Sequence, residues 1–296
     1  MQGRGLRLRT YLLVARVALA ALVAIIITGS LVRLTGSGLG CVDWPACNEE
    51  RFVDVSTGHA TIEQVNRLFT GVVAAAVIAA VLFALATRPR VKRLIWLSVG
   101  LVLGVLAQVV VGGIVVLTGL NPWSNMAHFL ISVVLVSIGV LLIHETRIAD
   151  VGRDAVRSEV PRPALLATIV VSLASLVMVL GTVVTATGPH AGDENAIRFA
   201  LDLGSVVRLH SVAVWLFLAS LVGVAVLARK VHARNVIHSL EIAMGWTVAQ
   251  GLVGYVQYFS GVPVFLVALH IAGSIFVWMA SMRLALTLVR PLPQKV

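Results

Sequence analysis

Three histidines, His128, His210 and His270, stand within long apolar stretches of the chain. Imidazole nitrogens bind metals and move protons, and a titratable ring in hydrocarbon is costly, so it usually faces a bundle interior and marks a site. The only two cysteines, Cys41 and Cys47, flank Asp43-Trp44-Pro45. Such a pair can staple a small loop as a disulfide, or pass electrons by exchange with another thiol. Glu63, Asn66 and Arg67 follow, with Glu63 and Asn66 at i and i+3 on one helical face that is expected to look toward His128. A carboxylate there can accept a proton or steady a cation; it can equally be an N-terminal charge favoured by the helix dipole. Arg33 and Arg208 can pair with an anionic ligand or snorkel to an interface.

These residues must be positioned by membrane-spanning elements. Of 296 residues, 59% are hydrophobic and 12% charged, about half the roughly 25% charge of soluble domains, and the mean hydropathy is +0.99. The apolar residues fall into blocks of about 18 to 25, the length that crosses a hydrocarbon core of about 30 Å, where only closed hydrogen-bonded backbones survive. Eight helical spans are predicted: Tyr11 to Leu34, Ala60 to Ala86, Leu94 to Leu117, Met126 to Ile143, Ala164 to Thr187, Ser205 to Ala228, Ile237 to Phe259 and Val264 to Leu288. The first is longer than a signal-peptide core and has no clear cleavage site, so it is expected to stay in the mature protein. The fold class expected is all-α integral membrane.

The net charge of +10 does not point to nucleic acid, because the basic residues sit in short segments between apolar blocks. Arg4, Arg7 and Arg9, then Arg88 to Arg93, then Arg147, Arg153, Arg157 and Arg162, then Arg229, Lys230 and Arg234, then Arg290 and Lys295 all fall on one side of an eight-span protein. That side is expected to be cytoplasmic, with both termini there.

The polar stretch Glu145 to Pro163 divides the chain into residues 1–150 and 151–296, which resemble each other. Gln108, Gly112, Gly119 and His128 match Gln250, Gly254, Gly261 and His270 at one constant offset. Gly29, Thr35 and Gly36 match Gly181, Thr187 and Gly188 at another. Each half has an even number of spans, so the two four-helix bundles insert the same way up, related by a pseudo-twofold axis along the membrane normal.

His210 and His270 lie about five and six residues into the sixth and eighth spans, so at about 1.5 Å per residue both sit roughly 8 to 9 Å below the outer boundary. Two imidazoles at equal depth can bind the two faces of a haem iron; each could instead only hydrogen-bond a neighbouring helix. Zinc fits less well, because neither has a second ligand at i+3 or i+4. In the first half His128 matches His270, but Asn66 stands where His210 would have its counterpart. His144, His232 and His238 are expected at the cytoplasmic interface. His59 and His190, on the outer side, are candidates for gating or ligand contact.

Thr35-Gly36-Ser37-Gly38-Leu39-Gly40-Cys41, then Asp43-Trp44-Pro45 and Cys47, resembles the first outer loop of heme A synthases. So do Glu63 three before Asn66-Arg67, where the familiar motif has His-Arg, and the isolated His128, His210 and His270 on alternate spans. The resemblance covers nearly the whole chain. It implies oxidation of the C8 methyl of haem O to a formyl, giving haem A for cytochrome oxidase. It implies haem b held by His210 and His270, and substrate haem in the first half beside Asn66, Arg67 and His128. Glu63 would be linked to catalysis, and Cys41 with Cys47 would be the family's disulfide pair. Partners implied are the bilayer of a bacterial-type cell membrane, haem O synthase, and a thiol or quinol electron donor. Two other classes compete: a b-type diheme electron carrier, disfavoured because the intramembrane histidines cluster toward one face, and a multi-helix transporter.

Overall fold

The computed structural model describes residues 7–152 and 158–292. Arg4, Arg153, Arg157 and Lys295 of the basic segments lie outside the described residues. The described chain forms eight α-helices: α1 Leu8–Leu34, α2 Gly58–Ala86, α3 Lys92–Leu117, α4 Pro122–Val151, α5 Pro163–Thr187, α6 Leu203–Lys230, α7 Arg234–Phe259 and α8 Val264–Val289. Helices of 25 to 30 residues are rods of roughly 38 to 45 Å, longer than a hydrocarbon core of about 30 Å.

Seven of the eight are long and apolar enough to cross a membrane by length and composition. The exception is α7, whose 26 residues include Arg234, Asn235, His238, Glu241, Gln250 and Gln257. It lies alongside α8 and α6. The outward faces are apolar: Trp96, Leu103, Leu106 and Leu117 of α3 are all exposed, as expected where lipid is the solvent.

One boundary needs correcting. The stretch from Glu145 begins inside α4, which continues to Val151. Glu145 can lie buried there because its carboxylate accepts from Arg290 Nη1 of α8 at 2.7 Å and faces Arg93 Nη2 of α3 at 3.3 Å. His144 beside it is buried as well, at the same end of the bundle as His232 and His238, which are exposed.

The helices close into two rings. In the first, α1 packs on α2 and α4, and α3 on the same two; in the second, α5 packs on α6 and α8, and α7 on the same two. Between rings, α4 meets α8, α1 meets α8, and α4 meets α5. Exchanging α1–α4 with α5–α8 leaves that set of contacts unchanged, which is what a twofold relation requires. Helix α1 serves both rings: Tyr11, Ala15, Ala18 and Leu22 join the first core, while Leu19, Val23 and Ile26 join the second. Many buried positions are small, which lets backbones approach where lipid gives no hydrophobic drive for association.

The repeat reaches the backbone torsions. The α3–α4 turn holds Gly119 and Leu120 at φ of 61° and 59°, and the α7–α8 turn holds Gly261 and Val262 at 78° and 58°. Consecutive left-handed residues are rare and costly outside glycine. Both non-glycine members are held from outside: Leu120 is buried against Val115 and Ala191, and the Val262 carbonyl accepts from His190 Nε2 at 2.8 Å.

Candidate functional site

Four equivalent stations lie toward the end of the bundle opposite the N-terminus of α1. At each, a glycine on an odd-numbered helix faces a polar side chain on the next even-numbered one. A Cβ built on Gly112 of α3 would stand 3.2 Å from Cε1 of His128 on α4. On Gly181 of α5 it would stand 3.3 Å from Cε1 of His210 on α6, and on Gly254 of α7 2.9 Å from Cε1 of His270 on α8. The fourth station pairs Gly29 of α1 with Asn66 of α2, whose Nδ2 would be 3.8 Å away. The glycines thus make room for the rings.

In each imidazole the Cε1–Nδ1 edge is turned to its glycine; Nδ1 of His128 and of His270 is buried without a hydrogen-bond partner among the described residues, and His210 lies against the Val177 backbone of α5. Nε2 is the farther nitrogen, 3.9 Å from the Cβ position of Gly254 in His270 and not among the nearest neighbours of Gly112 and Gly181. A ring held by one edge against backbone can ligate a metal through its other nitrogen. The α3–α4 and α7–α8 pairs are fixed alike: the Gln108 amide donates to the His128 carbonyl at 2.9 Å and to Ser132 Oγ, and the Gln250 amide donates to the His270 carbonyl.

Asn66 is held differently. Its Oδ1 accepts from Thr28 Oγ1 at 2.8 Å, whereas the repeat places Leu180 opposite His210 at the position of Thr28. The first ring therefore replaces an imidazole with an amide and supplies that amide with a partner. Sequence comparison of the halves displays the Thr28 difference, but its meaning needs the contact.

The other first-half residues gather around the α1–α2 loop. Cys41 and Cys47 form a disulfide, and both residues are buried. Glu63 turns to this loop, with no hydrogen bond to His128: its Oε2 accepts from the Cys41 backbone N–H at 2.8 Å, and Oε1 pairs with Arg67 Nη2 at 2.6 Å. Arg67 also donates to the Asp43 and Ala46 carbonyls at 3.2 Å. The guanidinium thus ties helix α2 to the loop across a buried ion pair. Gly40 lies so close to the His59 carbonyl that a side chain there would collide with it, and His59 Nδ1 meets Ser37 Oγ at 2.8 Å.

The held loop places Trp44 on α3. A Cβ on Gly113 would lie 2.6 to 2.9 Å from Cδ2, Cε2 and Cγ of the Trp44 indole, and Gly113 is next to Gly112 of the His128 station. In the second ring the position of Gly113 is Tyr255, whose hydroxyl accepts from Trp215 Nε1 at 3.2 Å. Sequence reading singled out Trp44 only as part of a motif; its docking needs the fold.

Two arginines at this same end of the bundle diverge. Arg208 stays exposed, donating to Ser205 Oγ at 2.8 Å and lying 3.8 Å from Asp202. Arg33 donates to the Thr185 carbonyl of α5 at 2.8 Å, and its Nε is buried without a partner among the described residues. Thr185 is the repeat counterpart of Arg33, so this cation stands near the pseudo-twofold axis between the rings.

Comparison with known families settles the lineage. The family profile of COX15-CtaA, the cytochrome oxidase assembly protein, matches residues 11–57 and 52–191. The chain belongs to this family. Among curated members, it is 34% identical over 104 residues to "Heme A synthase" of Geobacillus kaustophilus (strain HTA426), covering 35% of this chain and 32% of that one. It is 29% identical over 137 residues to the "Heme A synthase" of Lysinibacillus sphaericus (strain C3-41), covering 46% and 44%, and 34% identical over 112 residues to that of Bacillus pumilus (strain SAFR-032), covering 37% and 36%. The matches to these relatives thus span about a third to under half of their length. As a cytochrome oxidase assembly family member with multiple long apolar helices, the chain is a multi-pass membrane protein.

The glycine stations give a direct test of the site. If His270 ligates haem, as the sequence resemblance implies, Gly254→Leu should force its ring from position and lower the haem retained after purification by about tenfold, the lower end of what disturbing a metal ligand's support costs. Gly251→Leu, on the same helix with nothing within 4 Å of its Cβ, should leave retention unchanged. Haem per protein, with helicity by circular dichroism as control, checks both.

Proposed function

We propose that this protein is a heme A synthase, which oxidises the C8 methyl of haem O to a formyl. The observation that carries the reading is the set of four equivalent glycine stations, of which three hold imidazoles and one holds Asn66. The printed names of the curated relatives point the same way. The glycine cradles, which hold each ring by its Cε1–Nδ1 edge, fit a haem in the second ring. There His210 and His270 would hold haem b, which when bound supplies a one-electron relay.

The first ring takes the substrate. His128 is its single imidazole, and Asn66, tied to Thr28, adds polarity without a strong ligand. A substrate held by one imidazole leaves more readily than a cofactor held by two. Trp44 walls the outer end of this ring, positioned by the disulfide loop and the Glu63–Arg67 pair. Glu63 is the carboxylate nearest in kind to proton transfer here. With Cys41 and Cys47 both buried, the disulfide acts as the staple of this loop, and a quinol fits the role of electron donor better than a thiol. Arg33, unpaired on the axis, suits a haem carboxylate. Haem O synthase, upstream in the same membrane, is the expected supplier of substrate. The basic ends of the helices face the cytoplasm with both termini.

The test is expression with haem O supplied, followed by extraction and identification of pigments. Haem A or its hydroxylated precursor is expected; a folded, haem-loaded protein that yields neither overturns the assignment. Two tightly held b haems near opposite faces, found by potentiometry, would favour a diheme carrier.

A second outcome follows from Asn66. Asn66→His should give the first ring two imidazoles and raise haem b retained per protein from about one to about two. Conversion of haem O should fall, because the substrate station is then blocked by tightly bound haem. Pyridine haemochrome assay and product extraction measure the two effects.

A further inference from the structure

At the end of the bundle that carries the N-terminus, α1, α4 and α8 meet at the seam between the rings. Each brings one arginine there: Arg16, Arg147 and Arg283. Two contacts set their depths. Gly139 of α4 lies against Leu19 of α1, 2.9 Å from a Cβ to Leu19 Cδ1, and Trp278 Nε1 of α8 donates to Ser137 Oγ of α4 at 2.8 Å.

From those contacts toward the N-terminal end, Arg16 lies three residues beyond Leu19 and Arg283 five beyond Trp278. At about 1.5 Å per residue the two arginines come out roughly level, with Arg147 about 7 Å farther along. Around α4, at about 100° per residue, Arg147 points between the direction of Gly139, which faces α1, and that of Ser137, which faces α8. The register therefore places the three arginines around one junction, with Arg147 half-buried and Arg16 and Arg283 exposed.

None of the three forms an ion pair among the described residues. The carboxylates of α4 at this end are already engaged, Glu145 with Arg93 and Arg290, and Asp150 with Arg9 at 3.7 Å. Three like charges at the edge of a low-dielectric slab repel unless an anion sits among them. Topology alone does not ask for this convergence. The repeat places Thr168, Val289 and Leu141 at the positions of Arg16, Arg147 and Arg283, so the triad exists on one side of the axis only.

We propose that this junction is a binding site for the phosphate of an anionic membrane phospholipid, seated at the seam between the two rings. Basic pockets between transmembrane helices bind such headgroups. Beside Arg16, Leu13 and Val17 of α1 are exposed and offer the apolar surface along which acyl chains can lie.

The experiment titrates the intact protein in neutral detergent with phosphatidylglycerol or phosphatidylcholine, following Tm and counting co-purified lipid by mass spectrometry. Phosphatidylglycerol should raise Tm and be retained; phosphatidylcholine should do neither. Arg147→Gln should weaken phosphatidylglycerol binding about fivefold, as should Arg283→Gln, which changes an exposed residue and spares the packing. Arg147→Lys keeps the charge and most of the binding. Arg90→Gln, an exposed loop cation at the same end, should leave binding unchanged. No preference for phosphatidylglycerol in the wild type, the same preference in both glutamine variants, or an equal loss in Arg90→Gln overturns the proposal. So does a Tm rise with inorganic phosphate as large as that with phosphatidylglycerol, which would assign the junction to free phosphate.

Discussion

Replacing His210 or His270 with alanine should leave the purified protein with less than about a tenth of its Soret absorbance, since loss of mere outer partners of a metal ligand already costs roughly 10–100-fold in affinity. His128→Ala should leave most of it. The contrast follows from the stations: the second ring has two imidazoles, one on α6 and one on α8, and the first has one imidazole and an amide that Thr28 already engages. Under the proposed assignment, losing either second-ring histidine would remove half of a bis-imidazole site, whereas losing His128 would remove the single ligand of a site built to release. Haem per protein by pyridine haemochrome, with circular dichroism to confirm folding, reads the result. Full haem in both second-ring variants would refute the ligand assignment. Loss in His128→Ala alone would exchange the roles of the rings.

The parts of this site written in the sequence are those tied to periodicity and repetition. Eight helices and most of their ends follow from apolar blocks and their flanking glycines, prolines and caps, because hydrocarbon admits few alternatives. The pairing of Gly112 with His128 and of Gly254 with His270 is legible too: both members recur at one offset, and recurrence of a glycine with a buried histidine is hard to explain by helix propensity, which disfavours glycine.

What was not legible depends on contacts between segments far apart in the chain. The end of α4 was misplaced because Glu145, Thr146 and Arg147 look like a loop until Arg93 and Arg290 are seen to neutralise Glu145 from other helices. Glu63 and Asn66 do share a helix, yet Glu63 turns to the disulfide loop, a choice made by the Cys41 N–H and by Arg67. Trp44 on Gly113, Arg33 on Thr185 and the convergence of Arg16, Arg147 and Arg283 are equally invisible to spacing. The two rings share a backbone plan, and they differ where single side chains such as Thr28 and Gly113 replace Leu180 and Tyr255.

Arg67→Met should destabilise the protein by about 3–5 kcal/mol, because it leaves the buried Glu63 carboxylate without its cation. The side chains of Arg67 and Glu63 are only 20% and 7% exposed, so water cannot replace the lost partner, and the Asp43 and Ala46 carbonyls lose their donor as well. The loop should then open, and reduction of Cys41–Cys47 by a water-soluble phosphine should become much faster. In the double variant Glu63→Gln/Arg67→Met the buried charge is gone, and the glutamine oxygen can still accept from the Cys41 N–H. Most of the stability should return, a coupling of about 2 kcal/mol or more between neighbouring residues. Thermal unfolding and thiol-labelling rates measure both effects; a disulfide as well protected in Arg67→Met as in the wild type would refute the clamp. Conversion of haem O then separates the two roles of Glu63. With the loop closed again but no carboxylate in place, conversion should stay lost in the double variant if Glu63 handles a proton, and its return would make Glu63 a positioning residue that acts only through the loop and Trp44.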